Sequence, residues 1–105
     1  FGTGGKVTTS FGGDEGINAI TIQGDRRIVA VGTRYLGGVR SIVVARYNAN
    51  GSLDPNFDAD GRANFPGPTN GNLLAEAVAM LPDGRIVIAG QLNYLPSGQT
   101  ARRYD

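Results

Sequence analysis

Asn56, Asp58 and Asp60 place oxygen-bearing side chains at alternate positions ahead of Gly61. That is the first half of a calcium loop, in which ligands recur at every second residue and glycine makes the sharp turn. Asn64 stands at the ninth position of such a loop, but the twelfth is Gly67 and not a bidentate glutamate. A polar turn favours the same Asp and Gly residues for backbone reasons. The turn is preferred, with calcium as the alternative cofactor. Two tyrosines in matching places, Tyr35 after Arg34 and Tyr94 after Asn93, offer rings for stacking on a glycan or a peptide. Both are expected in a loop, where scaffolds carry their binding residues; the competing role is a Tyr-Leu pair that seals the end of a structural unit. In a third set, Arg46-Tyr47 and Arg103-Tyr104, a guanidinium stacked on tyrosine or paired with Asp54 would pin one unit to the next. That structural role is preferred to a ligand role.

Other chemistry is poorly supplied. The chain has no His and no Cys, so the commonest general base, the commonest zinc ligand and thiolate chemistry are missing together. Carboxylates remain as acid–base groups, and a glycosidase pair such as Asp14 with Glu15 or Glu76 has no spacing to recommend it. Asp25 and Asp83 read as turn residues bonded to their own backbone. Gly2-Thr3-Gly4-Gly5-Lys6 resembles a phosphate loop, yet Val7 and a strand follow where Ser or Thr and a helix are needed. Ten Lys and Arg against nine Asp and Glu, without a run of one sign, give no field for nucleic acid. No apolar stretch approaches the length of a membrane span. The chain opens at Phe1 without methionine and reads as a piece of something longer. No enzyme is expected.

The elements that position these residues come in two copies. Asp25-Arg26-Arg27-Ile28-Val29-Ala30-Val31-Gly32 returns 58 positions later as Asp83-Gly84-Arg85-Ile86-Val87-Ile88-Ala89-Gly90, Phe1 returns at Phe57 and Arg46-Tyr47 at Arg103-Tyr104. A near-constant period means tandem supersecondary units, each needing neighbours to cover its apolar faces. The units are residues 1–56 with the linker, and 57–105. Seventeen glycines punctuate short strands. In the first unit strands are expected at Lys6–Thr9, Ile17–Gln23, Arg27–Thr33 and Arg40–Asn48, with a loop over Arg34–Gly38. In the second they are expected at Leu73–Leu81, Arg85–Leu92 and Gly98–Asp105, with Pro82-Asp83-Gly84 as a hairpin turn. Leu73–Met80 has helical propensity, but its strand-like partner at Gly16–Ile22 overrules it. The chain is therefore expected to be all-β: two tandem four-stranded antiparallel units of propeller-blade type. The alternative is a β-sandwich formed by the two units. Two blades cannot close a ring, so copies of the chain or adjacent repeats of a longer parent are the expected partners.

The linker Gly51-Ser52-Leu53-Asp54-Pro55-Asn56-Phe57 with Gly61-Arg62, the hairpin Leu81-Pro82-Asp83-Gly84-Arg85-Ile86-Val87-Ile88-Ala89-Gly90, and Ala45-Arg46-Tyr47-Asn48-Ala49-Asn50-Gly51 together resemble the delta-60 repeat. The resemblance covers both copies and departs at Gly24 and Arg26, where the second copy has Pro82 and Gly84. It implies a propeller-like repeat from large bacterial proteins, extracellular or at the cell surface, without an established common activity. Fold alone does not assign function. The expectation is a non-enzymatic repeat module acting as a structural or binding scaffold. The alternative is a lectin-like module that binds glycan through Arg34, Tyr35, Asn93 and Tyr94.

Overall fold

A computed structural model describes residues 1–69 and 72–93. Six strands are present: β1 (Asp14–Ile22), β2 (Ile28–Leu36), β3 (Val39–Tyr47), β4 (Arg62–Thr69), β5 (Asn72–Met80) and β6 (Ile86–Asn93). The first four form an antiparallel sheet in the order β1-β2-β3-β4, and the last two an antiparallel hairpin. No helix occurs among the described residues. Leu73–Met80 is strand, as the repeat requires. The strand expected at Lys6–Thr9 is absent: Lys6 makes an isolated bridge to Thr3 and residues 7–10 are extended without a ladder. Its counterpart 56 positions on, Arg62–Phe65, does form a strand because the free edge of β3 receives it. A ladder needs a partner edge, and Lys6–Thr9 is laid along none of the described strands. The fourth strand expected at Gly98–Asp105 lies outside the described residues.

The two hairpins match in detail. Each first strand carries a bulge at the same place, between Ile17 and Ala19 in β1 and between Ala75 and Ala77 in β5. Opposite each bulge stands a glycine, Gly32 or Gly90. A Cβ there would meet the carbonyl oxygen of Gly16 at 2.0 Å or of Leu74 at 2.1 Å, so only glycine lets the bulged strand approach. The turns match as well. Asp25 and Asp83 accept the backbone N–H of Arg27 and Arg85 at 3.0 and 3.1 Å, and each arginine returns its side chain to the same carboxylate. Asp60-Gly61-Arg62 builds the turn a third time, with Arg62 N–H on Asp60 at 2.9 Å. The central residue is left-handed, φ 90° at Gly84 and 71° at Arg26. Arg26 thus holds a glycine conformation, which disfavours a side chain by sterics with the following carbonyl. Arg26→Gly is expected to stabilise the protein by about 0.5–1 kcal/mol in urea unfolding; a destabilised variant would mean that the Arg26 side chain has a contact outweighing the strain.

Register assigns the two faces of the large sheet. Ala19, Val29, Val31, Ile42, Val44, Ala63 and Phe65 share one face, and Ile17, Ile20, Ile22, Ala30, Val43 and Ala45 the other. The second hairpin packs through β5 on the first of these faces, against β1, β2 and β3. Leu73, Ala75, Ile86 and Ile88 complete a core there with Val29, Val31, Ile42, Val44 and Ala63. This explains why Ile28–Val31 reads as apolar on both faces: residues 7–11 cover part of the opposite side at Ala30, Val43 and Ala45.

Candidate functional site

The linker aspartate is the centre of the polar structure. Asp54 lies between β3 and β4 with its side chain 1 % exposed. It accepts Arg46 Nε at 2.8 Å, Arg27 Nε at 2.9 Å and the Asn56 backbone N–H at 3.0 Å. The Asn56 N–H, with the two guanidinium groups behind it, holds the Asp54 carboxyl below the usual aspartate range against the opposing cost of burial. Asp25 is shifted the same way, first by the Arg27 N–H. The structure thus brings Arg46 and Asp54 together, but adds Arg27, which sequence reading missed. Arg46 stacks on Phe57, 5.1 Å from the ring centroid, and not on Tyr47. Adjacent strand residues point to opposite faces, and Tyr47 instead donates its hydroxyl to Thr9 Oγ1 at 2.6 Å. Arg103 and Tyr104 lie outside the described residues.

Between the large sheet and the second hairpin runs a groove of about 450 Å3, lined by Arg46, Phe57, Phe65, Arg85 and Ile88 among others. Its upper wall includes Asn56 and Asp58. In the expected calcium half-loop one of the two acidic side chains has another partner. Asp60 is drawn to Arg62, at 2.9 Å to its N–H and 3.3 Å to its guanidinium. Asp58 and Ala59 turn through positive φ, 48° and 66°. The segment is a tight turn into β4.

Arg34 and Tyr35 also differ from expectation. They belong to β2, paired with Ser41 and Arg40, and the chain reverses through Gly37-Gly38 alone. As strand neighbours they face opposite ways and cannot line one site. Arg34 donates Nη1 to the Phe11 carbonyl at 2.7 Å, while Glu15 accepts the Phe11 N–H at 2.5 Å. This pair clamps the N-terminal segment. Tyr35 is 44 % exposed, with the Arg40 guanidinium 4.9 Å over one side of its ring. It borders a hollow of about 230 Å3 with Asp14, Asn18, Thr33 and Arg40. Asn93 ends β6, and Tyr94 lies outside the described residues. Asp14 and Glu15 are consecutive in β1, so alternation separates the two carboxylates.

A second unforeseen set joins the sheets. Asn18, at the β1 bulge, donates to Thr33 Oγ1 at 3.1 Å and to the Ala75 carbonyl, and Thr33 Oγ1 accepts the Ala75 N–H at 3.2 Å. Among the described strands β5 pairs with β6 along one edge only, which leaves backbone groups on its other edge for the bridge. No helix among the described residues is long and apolar enough to cross a membrane. No curated protein and no solved structure matches the chain. Residues 23–57, from the first hairpin turn through β2 and β3 to the linker phenylalanine, match the model of a family described as a domain of unknown function (DUF5122) β-propeller.

Proposed function

We propose that the chain is a non-enzymatic scaffold built from two neighbouring propeller blades of the delta-60 type, in which side-by-side packing of repeats is the function the sequence serves. One observation carries this: two hairpins with the same bulge, the same glycine and the same Asp-x-Arg turn pack in one direction, the second laying its Ala75 face on the Val31 face of the first. A sandwich of two sheets would bring the core faces of both units together symmetrically; here different faces of the repeat meet. The natural absence of cysteine allows a direct check. Thr33→Cys with Ala75→Cys should oxidise within one chain and keep the β-sheet circular dichroism of the parent. Failure of that pair to close in a folded protein overturns the side-by-side reading.

A glycan-binding role has one supporting observation, the half-exposed Tyr35 beside Asp14, Asn18 and Arg40. A ring face with polar neighbours suits a sugar. A glycan-array signal abolished by Tyr35→Ala would establish this reading, and an array without signal would remove it.

A further inference from the structure

The face of the large sheet turned away from the second hairpin is bare along β1, where Ile17, Ile20 and Ile22 are 72, 60 and 67 % exposed. Three large side chains in a row on one strand form an apolar patch of the kind that marks an interface. Their counterparts 58 positions on are Ala75, Val78 and Met80. Ala75 is 1 % exposed, and Val78 and Met80 pack against the core. The same face of the repeat is therefore buried in the second unit and uncovered in the first.

The complementary face shows the opposite imbalance. Ala19 and Val31 look toward the second hairpin, and their counterparts are Ala77 and Ala89. Those two, with Ala79, are exposed on the far side of β5 and β6. This interface is made once, between the two units; among the described residues one half of it is exposed again on β1 and the other half on β5 and β6. The N-terminal segment marks how an incoming sheet would sit. Val7 and Thr9 correspond to Ala63 and Phe65 of β4, which flank Ile86 and Ile88 in the groove between the units. In the same way Val7 and Thr9 lie beside Ala30 and Tyr47. They stand where the outer strand of a preceding sheet would be, fixed by the Tyr47–Thr9 and Arg34–Phe11 hydrogen bonds. The β1 strip beside them is left for inner strands.

Resting on the side-by-side reading above, we infer that the Ile17–Ile20–Ile22 face binds the Ala77–Ala79–Ala89 face of a second copy. The contact is heterologous, with different faces meeting head to tail, and each chain keeps one half free for the next copy. Ile20→Asp and Ala79→Asp sit on exposed positions and spare the internal core. Light scattering after size exclusion should give the wild type at two or more chain masses and each variant at the single mass, 11.0 kDa. An equimolar mixture of the two variants should recover a two-chain species and nothing larger, because each supplies the half that the other lacks. The double variant should stay monomeric. Wild type at the single-chain mass across a dilution series, or a mixture that remains monomeric, overturns the inference. The Thr33→Cys/Ala75→Cys pair separates the two levels. If it closes while the wild type is monomeric, only the intermolecular contact is lost; if it does not, the side-by-side reading falls too.

Discussion

Gly32→Ala is expected to cost about 3 kcal/mol, more than a methyl normally costs on a strand, because of where the new atom would go. It would lie 2.0 Å from the Gly16 carbonyl oxygen and 3.0 Å from the Gly16 carbonyl carbon. Both are backbone atoms in a paired strand, so no side chain can swing aside. Relief requires opening the bulge between Ile17 and Ala19, and the bulge is what brings Asn18 to Thr33 and the Ala75 carbonyl. Loss of pairing in β1 should therefore loosen the second hairpin as well. Gly90→Ala, facing the Leu74 carbonyl at 2.1 Å, should show a comparable cost. Gly24→Ala serves as the control, since a Cβ there has nothing within 4 Å and its change should stay within about 0.5 kcal/mol. Urea midpoints at constant m-value provide the comparison. A neutral Gly32→Ala would mean that the two strands do not approach as described.

Asp54→Asn is the second large effect. The amide preserves shape and can still accept the Asn56 N–H, but two half-buried guanidinium groups, Arg27 and Arg46, lose their shared counter-charge. Removing one partner of a buried ion pair is strongly destabilising because the remaining charge stays out of water. A fall in Tm of roughly 10 °C or more at neutral pH is expected. The pH dependence has a definite sign. In the unfolded chain Asp54 titrates near the ordinary value of 3.8, and in the folded chain below it. Its contribution is complete above 3.8 and is lost as pH falls from there through the lower folded-state value. Asp25 is shifted in the same direction and adds to the same acid window. Wild type should thus lose stability steeply as pH falls through that window, while Asp54→Asn shows a shallower fall from a lower start. Equal acid slopes in the two proteins would show that Asp54 is not held by these cations.

The contrast between these positions explains what was legible in the sequence. The Asp83-Gly84-Arg85 turn and its variant at Asp25 are local patterns, so both hairpins and the strand at Leu73–Met80 follow from the repeat. The period alone does not say which strand opens a sheet. Lys6–Thr9 has strand chemistry but pairs with no described strand, whereas Arg62–Thr69 pairs with β3. Gly37-Gly38 is a turn signal in the sequence, but a loop extended back to Arg34 is too long, because Arg34–Leu36 pair with Val39–Ser41. That placed Tyr35 in a loop when it stands on a strand. The Arg27–Asp54 pair spans distant positions and the Asn18–Ala75 bridge spans the two units; neither leaves a local pattern. The half-loop at Asn56, Asp58 and Asp60 had the right spacing for metal, but Asp-x-Arg chemistry claims Asp60 first.

Methyl-to-methyl nuclear Overhauser contacts in selectively labelled protein test most directly whether successive repeats stack with different faces together. At a dilution where the chain is monomeric, Leu73 and Ile88 methyls should show contacts to Val31, Ile42 and Val44, with which they share one core. Contacts from Leu73 and Ile88 to Ile20 and Ile22 instead, or none to either set, would contradict the account.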